Sequence, residues 1–311
     1  MARRKKGNPV HGWLILDKPY GMGSTPAVSF ARRVFNAQKA GHGGTLDPLA
    51  EGVLPIALGE ATKTLPYILD ADKTYRFTLR FGTATATGDA EGDIVATSDV
   101  RPTEAQIQAI LPQFTGGITQ TPPAYSALKI DGKPAYERAR AGETVEIPSR
   151  DVTIYSLKLR AYTPEESTFE AEVSKGTYIR SLGQDMAVAL GSCGHLSYLR
   201  RLKAGPFDEK MAITKETLEN CLQNGHSPQT VLHPPEVALA DIPAHTADAQ
   251  DRQTLKTGRV PDWPGLAPGT YRVHDKVNGQ LLSLVSIGAD AEGTKRILRN
   301  FNLDETDIAK E

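Results

Sequence analysis

The side chain in this sequence best placed to do chemistry is Asp47, an acid between Leu46 and Pro48 that follows the run Gly41-His-Gly-Gly-Thr. Glycines let the backbone take unusual dihedrals and approach a ligand closely. An ionised carboxylate displayed on such a loop can attack a carbon or remove a proton. Taken alone, an Asp before Pro is by default a turn former that bonds its own backbone. The other candidates have equally plain defaults. His42 reads as a satisfied structural histidine, Tyr75 as core on an apolar strand face, Tyr178 as a helix first-turn residue, and Arg180 as a surface cation.

These residues need elements to hold them. His11 to Asp17 reads as a strand, ended by Lys18-Pro-Tyr-Gly-Met-Gly, and Ser24 reads as the N-cap of a helix over about residues 25–37. After the glycine loop come an apolar strand from Val53 and a short helix near Ala61 to Leu69. Thr74 to Phe81 alternates, with Tyr75, Phe77, Leu79 and Phe81 on one face, as a half-buried strand requires. Thr103 caps a helix running to Phe114, and Val152 to Ala161 and Phe169 to Ser174 read as strands. Tyr178, Leu182, Met186 and Leu190 fall at helical spacing, with Gly191 as the C′ residue. His195 to Leu202 reads as a further strand. Asn224 to Pro243 is rich in proline and lacks periodicity, marking a linker or domain edge. The tail from about Ala247 holds one short helical pattern, then strands around Tyr271 and Leu281 to Ile287.

At 311 residues the chain has room for two ordinary domains. The expected class is mixed α/β (α+β) with much antiparallel sheet, divided into residues 1–245 and a small β-rich unit over 246–311. A formal net charge of -1 announces no polyanionic partner. Cations nevertheless cluster at Arg3 to Lys6, around Arg138 to Arg150, at Lys175 to Arg180 and at Arg200 to Lys203, where phosphates could sit. Cys193 and Cys221 are too few for a disulfide framework and show no zinc-binding spacing, so no metal is expected and a reducing cytoplasm fits. The apolar stretch Trp13 to Leu16 is too short for a secretion signal, and no run approaches the roughly 20 apolar residues of a membrane span.

Five segments together carry a resemblance. Gly41-His-Gly-Gly-Thr-Leu-Asp-Pro-Leu-Ala-Glu-Gly-Val-Leu resembles the catalytic motif of the TruB family of pseudouridine synthases, whose catalytic Asp lies between Leu and Pro. Leu16-Asp-Lys-Pro-Tyr-Gly-Met, Lys73-Thr-Tyr, Pro122-Pro-Ala-Tyr-Ser-Ala-Leu-Lys-Ile-Asp-Gly and Ser174-Lys-Gly-Thr-Tyr-Ile-Arg-Ser-Leu are similar to that family in the same order. The match is strong over residues 10–210 and looser beyond. Gly43 stands where Thr or Ala is usual, Glu51 where Thr or Ser is usual, and Gly23 replaces a frequent Thr. Glu51 is expected to add negative charge beside the site and either to weaken phosphate binding or to raise the pKa of Asp47.

The resemblance implies a pseudouridine-synthase catalytic domain followed by a small PUA-like RNA-binding domain, and conversion of uridine to pseudouridine in the T-arm stem-loop of tRNA, at position 55. It implies Asp47, Tyr75 and Arg180 as catalytic residues, with Arg180 keeping Asp47 charged as a planar bidentate pair and Tyr75 stacking on the uracil. His42, Tyr178 and Leu199 are implied as substrate-binding residues, His42 by entering the RNA loop. The isomerisation needs no redox step or group donor, so no cofactor is expected, nor a membrane, guide RNA or obligate protein partner. Two other readings fit parts of the sequence. One is a tRNA-binding folding chaperone in which modification is secondary, although a pure binder has no need of a carboxylate aimed at an anionic ligand. The other is a glycoside hydrolase, which wants two carboxylates, with Glu51 the only nearby second.

Overall fold

The structure, a computed structural model, describes residues 7–303 apart from 127, 131, 142, 144–146 and 289–292. The cation cluster Arg3 to Lys6, and Ala127 and Asp131 of the fourth motif, lie outside the described residues. A ten-stranded mixed sheet organises the larger part of the chain, and most of its pairings are antiparallel. Its order runs Ile213–Thr214, Gly12–Lys18, Glu51–Leu58, Gly194–Ala204, Lys73–Phe81, Glu166–Val173, Arg150–Tyr162, Gly116–Gln120. Gly12–Lys18 and Glu51–Leu58 are near-continuous apolar runs because both of their faces are covered.

The register explains why residues distant in sequence meet. Glu51–Leu58 and Gly194–Ala204 run parallel, with Arg201 opposite Gly52. On the other side of Gly194–Ala204, Tyr75 lies opposite Arg201 and Phe77 opposite Leu199. The glycine loop feeds directly into Glu51–Leu58, so Asp47 is delivered to the end of the same three central strands. Helix Ile179–Ala189 packs on two of them and carries Arg180 in its first turn.

Three apolar clusters fill the two faces. Phe77 and Phe169 stack with ring centroids 5.3 Å apart, against Leu79, Leu182 and Met186. Leu14, Leu16, Leu54 and Ile56 pack under Phe30 and Ala31 of helix Ser24–Val34. Trp13, Ile15, Val53 and Phe207 form the third. Tyr75 and Leu199 are half-buried and pack against both of the first two clusters, marking the seam where the sheet surface opens.

Several expected boundaries move for physical reasons. Helix Ser24–Val34 starts at Ser24 itself with Gly23 as N-cap, because the Ser24 hydroxyl is buried in another task described below. The expected helix at Ala61 to Leu69 splits into a 3-10 turn, Gly59–Thr64, and an α-helix, Leu65–Asp70, with Pro66 at its start. Thr103 caps Glu104–Ile110 in a reciprocal box with Gln106, and Gly191 takes φ +70° after Ile179–Ala189. Asn224 to Pro243 is not an open linker. His233 exchanges two backbone hydrogen bonds with Trp13 (2.7 and 2.9 Å), and Leu239 is buried.

A separate four-stranded sheet follows, ordered Ala244–Ala247, Gly269–Asp275, Leu281–Ile287, Lys295–Asn300. The two outer strands, Ala-His-Thr-Ala and Lys-Arg-Ile-Leu-Arg-Asn, carry too little apolar alternation to be read in advance. This sheet is held to the helical turns beside the larger one: Phe301, Leu281 and Leu284 pack with Leu239 and Tyr67, and the Asn302 amide donates to the Glu60 carboxylate at 2.7 Å.

Gly52 sits at φ +95°, and a β-carbon there would lie 2.3 Å from the Arg201 carbonyl oxygen and 3.1 Å from its carbon. Neither backbone atom can yield without separating the two central parallel strands. Gly52→Ala is expected to destabilise the fold by on the order of 2 kcal/mol or more, read as a lower urea midpoint. An unchanged midpoint contradicts the role assigned to this strand junction.

Candidate active site

Asp47 projects from a loop that is tied down on three sides. From the helix side, the buried Ser24 hydroxyl accepts from the Leu46 N–H (2.8 Å) and donates to the Leu46 carbonyl (2.9 Å). From the sheet side, the buried Arg201 donates through Nε to Val53 O (2.7 Å), through Nη2 to Gly44 O (3.1 Å) and through Nη1 to Thr45 O (3.5 Å). From below, Lys18 Nζ donates to Pro48 O at 3.2 Å, and to the carbonyls of Pro19 and Met22. Gly44 takes φ +119°, the conformation that lets its carbonyl turn towards Arg201. With the backbone so restrained, the Asp47 carboxylate does not cap its own turn. Its hydrogen-bond partner among the described residues is Arg180.

Arg180 is buried and divides its donors. Nε meets Asp47 Oδ2 at 2.9 Å, Nη1 donates to Thr87 O and Nη2 to Tyr125 O, both at 2.7 Å. The expected planar bidentate pair is therefore not what the chain builds: one nitrogen faces Asp47 and the other two are fixed to loop carbonyls. A guanidinium can be held this way because it stays protonated when buried and carries five donors in a rigid plane. Asp89 shares the cation, with Oδ2 3.8 Å from Nε, while its Oδ1 accepts from the Thr87 hydroxyl and the Glu91 amide.

The Asp47 carboxyl is pushed above its ordinary range. Burial is the largest cause, the Arg180 guanidinium opposes it, and the Asp89 charge adds to it. The side chain still keeps 35% of its surface accessible, so a ligand can reach it. Lys18 is pulled down to about 8 by burial, against the charges of Glu51 and Asp47. Burial and the nearby Arg201 charge lower the His42 imidazole, which favours its neutral form.

Asp47, Tyr75, Tyr178, Arg180 and Leu199 line one cleft of about 310 Å³, together with Arg201, Lys73 and Arg150. His42 does not line it. It closes strand Ala40–His42 and faces an adjoining cleft of about 650 Å³, which shares Thr45, Leu46, Asp47 and Arg180 with the first. Among the described residues its buried Nδ1 meets no hydrogen-bond partner, nor does the Ser126 hydroxyl on the same cleft. Tyr178 is the N-cap residue of its helix, held by Gln120, whose amide accepts from Tyr178 N (2.7 Å) and donates to Tyr178 O (3.0 Å).

Glu51 does not act on Asp47 as expected. Its carboxylate turns to Arg200 (3.9 Å), which also binds Asp17 and Glu209 at 2.9 and 2.6 Å. The second carboxylate at Asp47 is Asp89, 42 positions along the chain, where only the fold brings it in. The Gly43 departure has a partner in Ile68: a β-carbon on Gly43 would lie 2.6 Å from Ile68 Cγ2 and 3.2 Å from its Cβ. Gln120 and Asp89 carry no signal in the sequence, and Ser24 and Arg201 read as a helix cap and a phosphate-facing cation rather than as supports of the loop, since a buried polar side chain declares its task only through partners far away in sequence.

Comparisons with known proteins agree with one another. The family model described as TruB family pseudouridylate synthase (N terminal domain) matches residues 32–179. The one described as tRNA pseudouridylate synthase B C-terminal domain matches residues 180–240. The tRNA pseudouridine synthase B of Caulobacter vibrioides is 53% identical over 261 residues, 84% of each chain. That of Novosphingobium aromaticivorans is 48% identical over 306 residues, covering 95% of this chain and 99% of its own. Among solved structures, a chain from the crystal structure of a Cbf5-Nop10-Gar1 complex superposes with TM-score 0.69 at 26% identity, over 98% of this chain and 90% of that one.

Burial also lowers Lys73, beside the cleft, to about 8. For both lysines the unfolded chain, near pKa 10.5, binds more protons than the folded one between pH 8 and 10.5, so their contribution to stability rises with pH across that window. The urea midpoint of the wild type is expected to gain from this on going from pH 8 to 10. The gain should shrink by roughly half in Lys73→Met; a pH dependence identical in variant and wild type contradicts the depressed lysine.

Proposed function

The chain belongs to the TruB family of pseudouridylate synthases, and on that premise we propose that it isomerises uridine to pseudouridine at position 55 in the T-loop of tRNA, with Asp47 as the reacting carboxylate. The observation that carries this reading is the Asp47–Arg180 contact at 2.9 Å on the wall of a cleft that two tyrosines and a leucine also line. Relatives along nearly the whole length are named for tRNA pseudouridine synthesis, which favours tRNA as the substrate.

The reaction breaks the N-glycosidic bond, turns the uracil, joins its C5 to the ribose C1′ and releases the C5 proton. The uracil leaves and returns within one nucleotide while its C5 proton passes to solvent and N1 takes one up, so the atoms balance and no donor or oxidant enters. A uridine in a folded loop must first be extruded, at a cost of a few kcal/mol. In this reading Tyr75, which lines the cleft, stacks on the base, with Tyr178 and Leu199 as further walls, and base–aromatic stacking returns about 1 to 3 kcal/mol. His42, on the adjoining cleft with its pKa lowered by burial, meets the RNA loop beside the extruded nucleotide in this reading. Enclosure strips water from Asp47 and would neutralise it; the Arg180 charge opposes this and keeps a carboxylate available to attack the nucleoside or take a sugar proton. No guide RNA or protein partner enters this reading, and the four-stranded sheet from Ala244–Ala247 to Lys295–Asn300 serves as a PUA-like surface for the rest of the tRNA.

Asp47→Asn is expected to abolish tritium release from tRNA labelled at uracil C5 while tRNA binding stays within about tenfold of wild type. Turnover in that variant rejects the assignment. Arg180→Lys is expected to lose about a hundredfold or more in kcat, since one ammonium cannot face Asp47 and hold two carbonyls together; near-normal kinetics removes Arg180 from the mechanism.

The raised pKa of Asp47 sets a pH dependence with a definite sign. Activity is present above that pKa and falls as pH drops through it. Removing the like charge in Asp89→Asn lowers the Asp47 pKa, so the acid limb of kcat/KM should move to lower pH. A limb that stays in place, or moves up, contradicts the shared-cation arrangement.

A further inference from the structure

We propose that Arg150 is a binding residue for a phosphodiester of the RNA at the rim of the cleft, a role resting on the reading of the site given above. The other guanidiniums around the cleft are already committed. Arg180 is spent on Asp47, Asp89 and two carbonyls, Arg200 on Asp17 and Glu209, and Arg201 on three carbonyls of the Asp47 loop and its strand. Arg150 is different. Among the described residues it has no carboxylate partner, and its buried Nε donates to nothing. Its neighbour Asp151 accepts instead from the Thr119 hydroxyl at 2.8 Å.

The guanidinium is nevertheless held in place. Its Cζ lies 4.8 Å from the centroid of the Tyr178 ring. A β-carbon on Gly176, which takes φ +82°, would stand 3.4, 3.5 and 3.6 Å from Arg150 Cζ, Nη1 and Nε. Three near-equal distances put that position over the flat of the group rather than at its edge. With the glycine backbone over its flat surface, the Tyr178 ring beside its Cζ and its Nε buried, Arg150 has its two terminal NH2 groups left to offer, which suits in-plane hydrogen bonds to an oxyanion rather than stacking on a base. Ordering the side chain before the ligand arrives reduces the entropy lost on binding.

The location selects the ligand. Arg150 lines both the cleft that holds Asp47 and a shallower groove beside it, formed by the strands Gly116–Gln120 and Arg150–Tyr162 and the turn at Ser174 to Gly176. A nucleotide whose base occupies the first carries its phosphate out over the boundary between them. The same Tyr178 that walls the cleft also carries the cation, so the base and its backbone would be gripped by one stacked pair.

The test uses a T-arm stem-loop RNA and the full-length protein. For Arg150→Gln, the affinity should fall several-fold at low salt, and the slope of log Kd against log salt should decrease by about 0.7 to 0.9, the release of one phosphate's counterion. Arg150→Lys should retain that slope. An RNA with a neutral methylphosphonate at the target nucleotide's own phosphate should bind the wild type more weakly and Arg150→Gln no more weakly than the unmodified RNA. Near-wild-type circular dichroism and urea midpoint establish that the variants fold. An unchanged salt slope in Arg150→Gln, or equal sensitivity of both proteins to the methylphosphonate, overturns the proposal, as does a loss confined to kcat, which would make Arg150 a mere support for Tyr178. These are binding measurements, so they stand or fall separately from pseudouridine formation: wild type that binds without converting uridine defeats the enzymatic reading, not this one.

Discussion

In the function proposed, a carboxylate that must stay charged while water is taken from it is the constraint to which the rest of the molecule answers. Burial raises the pKa of Asp47 and Arg180 opposes the rise. At an effective dielectric of about 20, opposite charges near contact attract by several kcal/mol, but only if they are held there. The chain invests its architecture in that holding. Arg180 comes from the first turn of a helix packed on the sheet, with its other nitrogens fixed to carbonyls on two separate loops. In the role proposed for Asp47, Asp89 on the same cation would keep the balance from being over-corrected, since a carboxylate too well stabilised is a poor nucleophile and a poor base.

The loop bearing Asp47 shows the same economy. Few of its contacts are side chain to side chain; polar groups from elsewhere grip its backbone instead. Ser24 takes both polar groups of Leu46, Arg201 takes the carbonyls of Gly44 and Thr45, and Lys18 takes that of Pro48. Gln120 treats Tyr178 as Ser24 treats Leu46. Buried polar groups of this kind lose more when half-satisfied than they gain when made, so they fix one conformation of the site rather than merely adding stability.

What could be read from sequence divides along physical lines. Strands with clean alternation or continuous apolar runs, such as Thr74 to Phe81 and the stretch from Val53, announced themselves because burial is written into their periodicity. The capping box at Thr103 and the glycine at 191 were equally local. The strands Ala244–Ala247 and Lys295–Asn300 were not, since their residues take their place through pairing with neighbours. At the site, the motif order pointed to Asp47, Tyr75, Tyr178, Arg180 and Leu199, which the fold gathers on one cleft, and to His42, which it sets on the next. Ser24 was misread as a cap because a serine before an apolar helix usually is one, and here a loop 22 residues away claims its hydroxyl. Glu51 was weighed as the second charge on proximity in sequence, whereas Asp89 holds that position in space.

The account's central claim is about one ionisation equilibrium, and it can be observed directly. In protein carrying 13C-labelled aspartate, the Asp47 carboxyl carbon, assigned by its loss in an Asp47→Asn sample, can be followed through a pH titration. The account predicts a midpoint above that of the exposed aspartates, with the resonance in its ionised position at neutral pH, and a further upward displacement when Arg180 is replaced by Gln. A carboxyl that titrates with the exposed aspartates, that is protonated at neutral pH in the wild type, or that ignores the loss of Arg180 would contradict it.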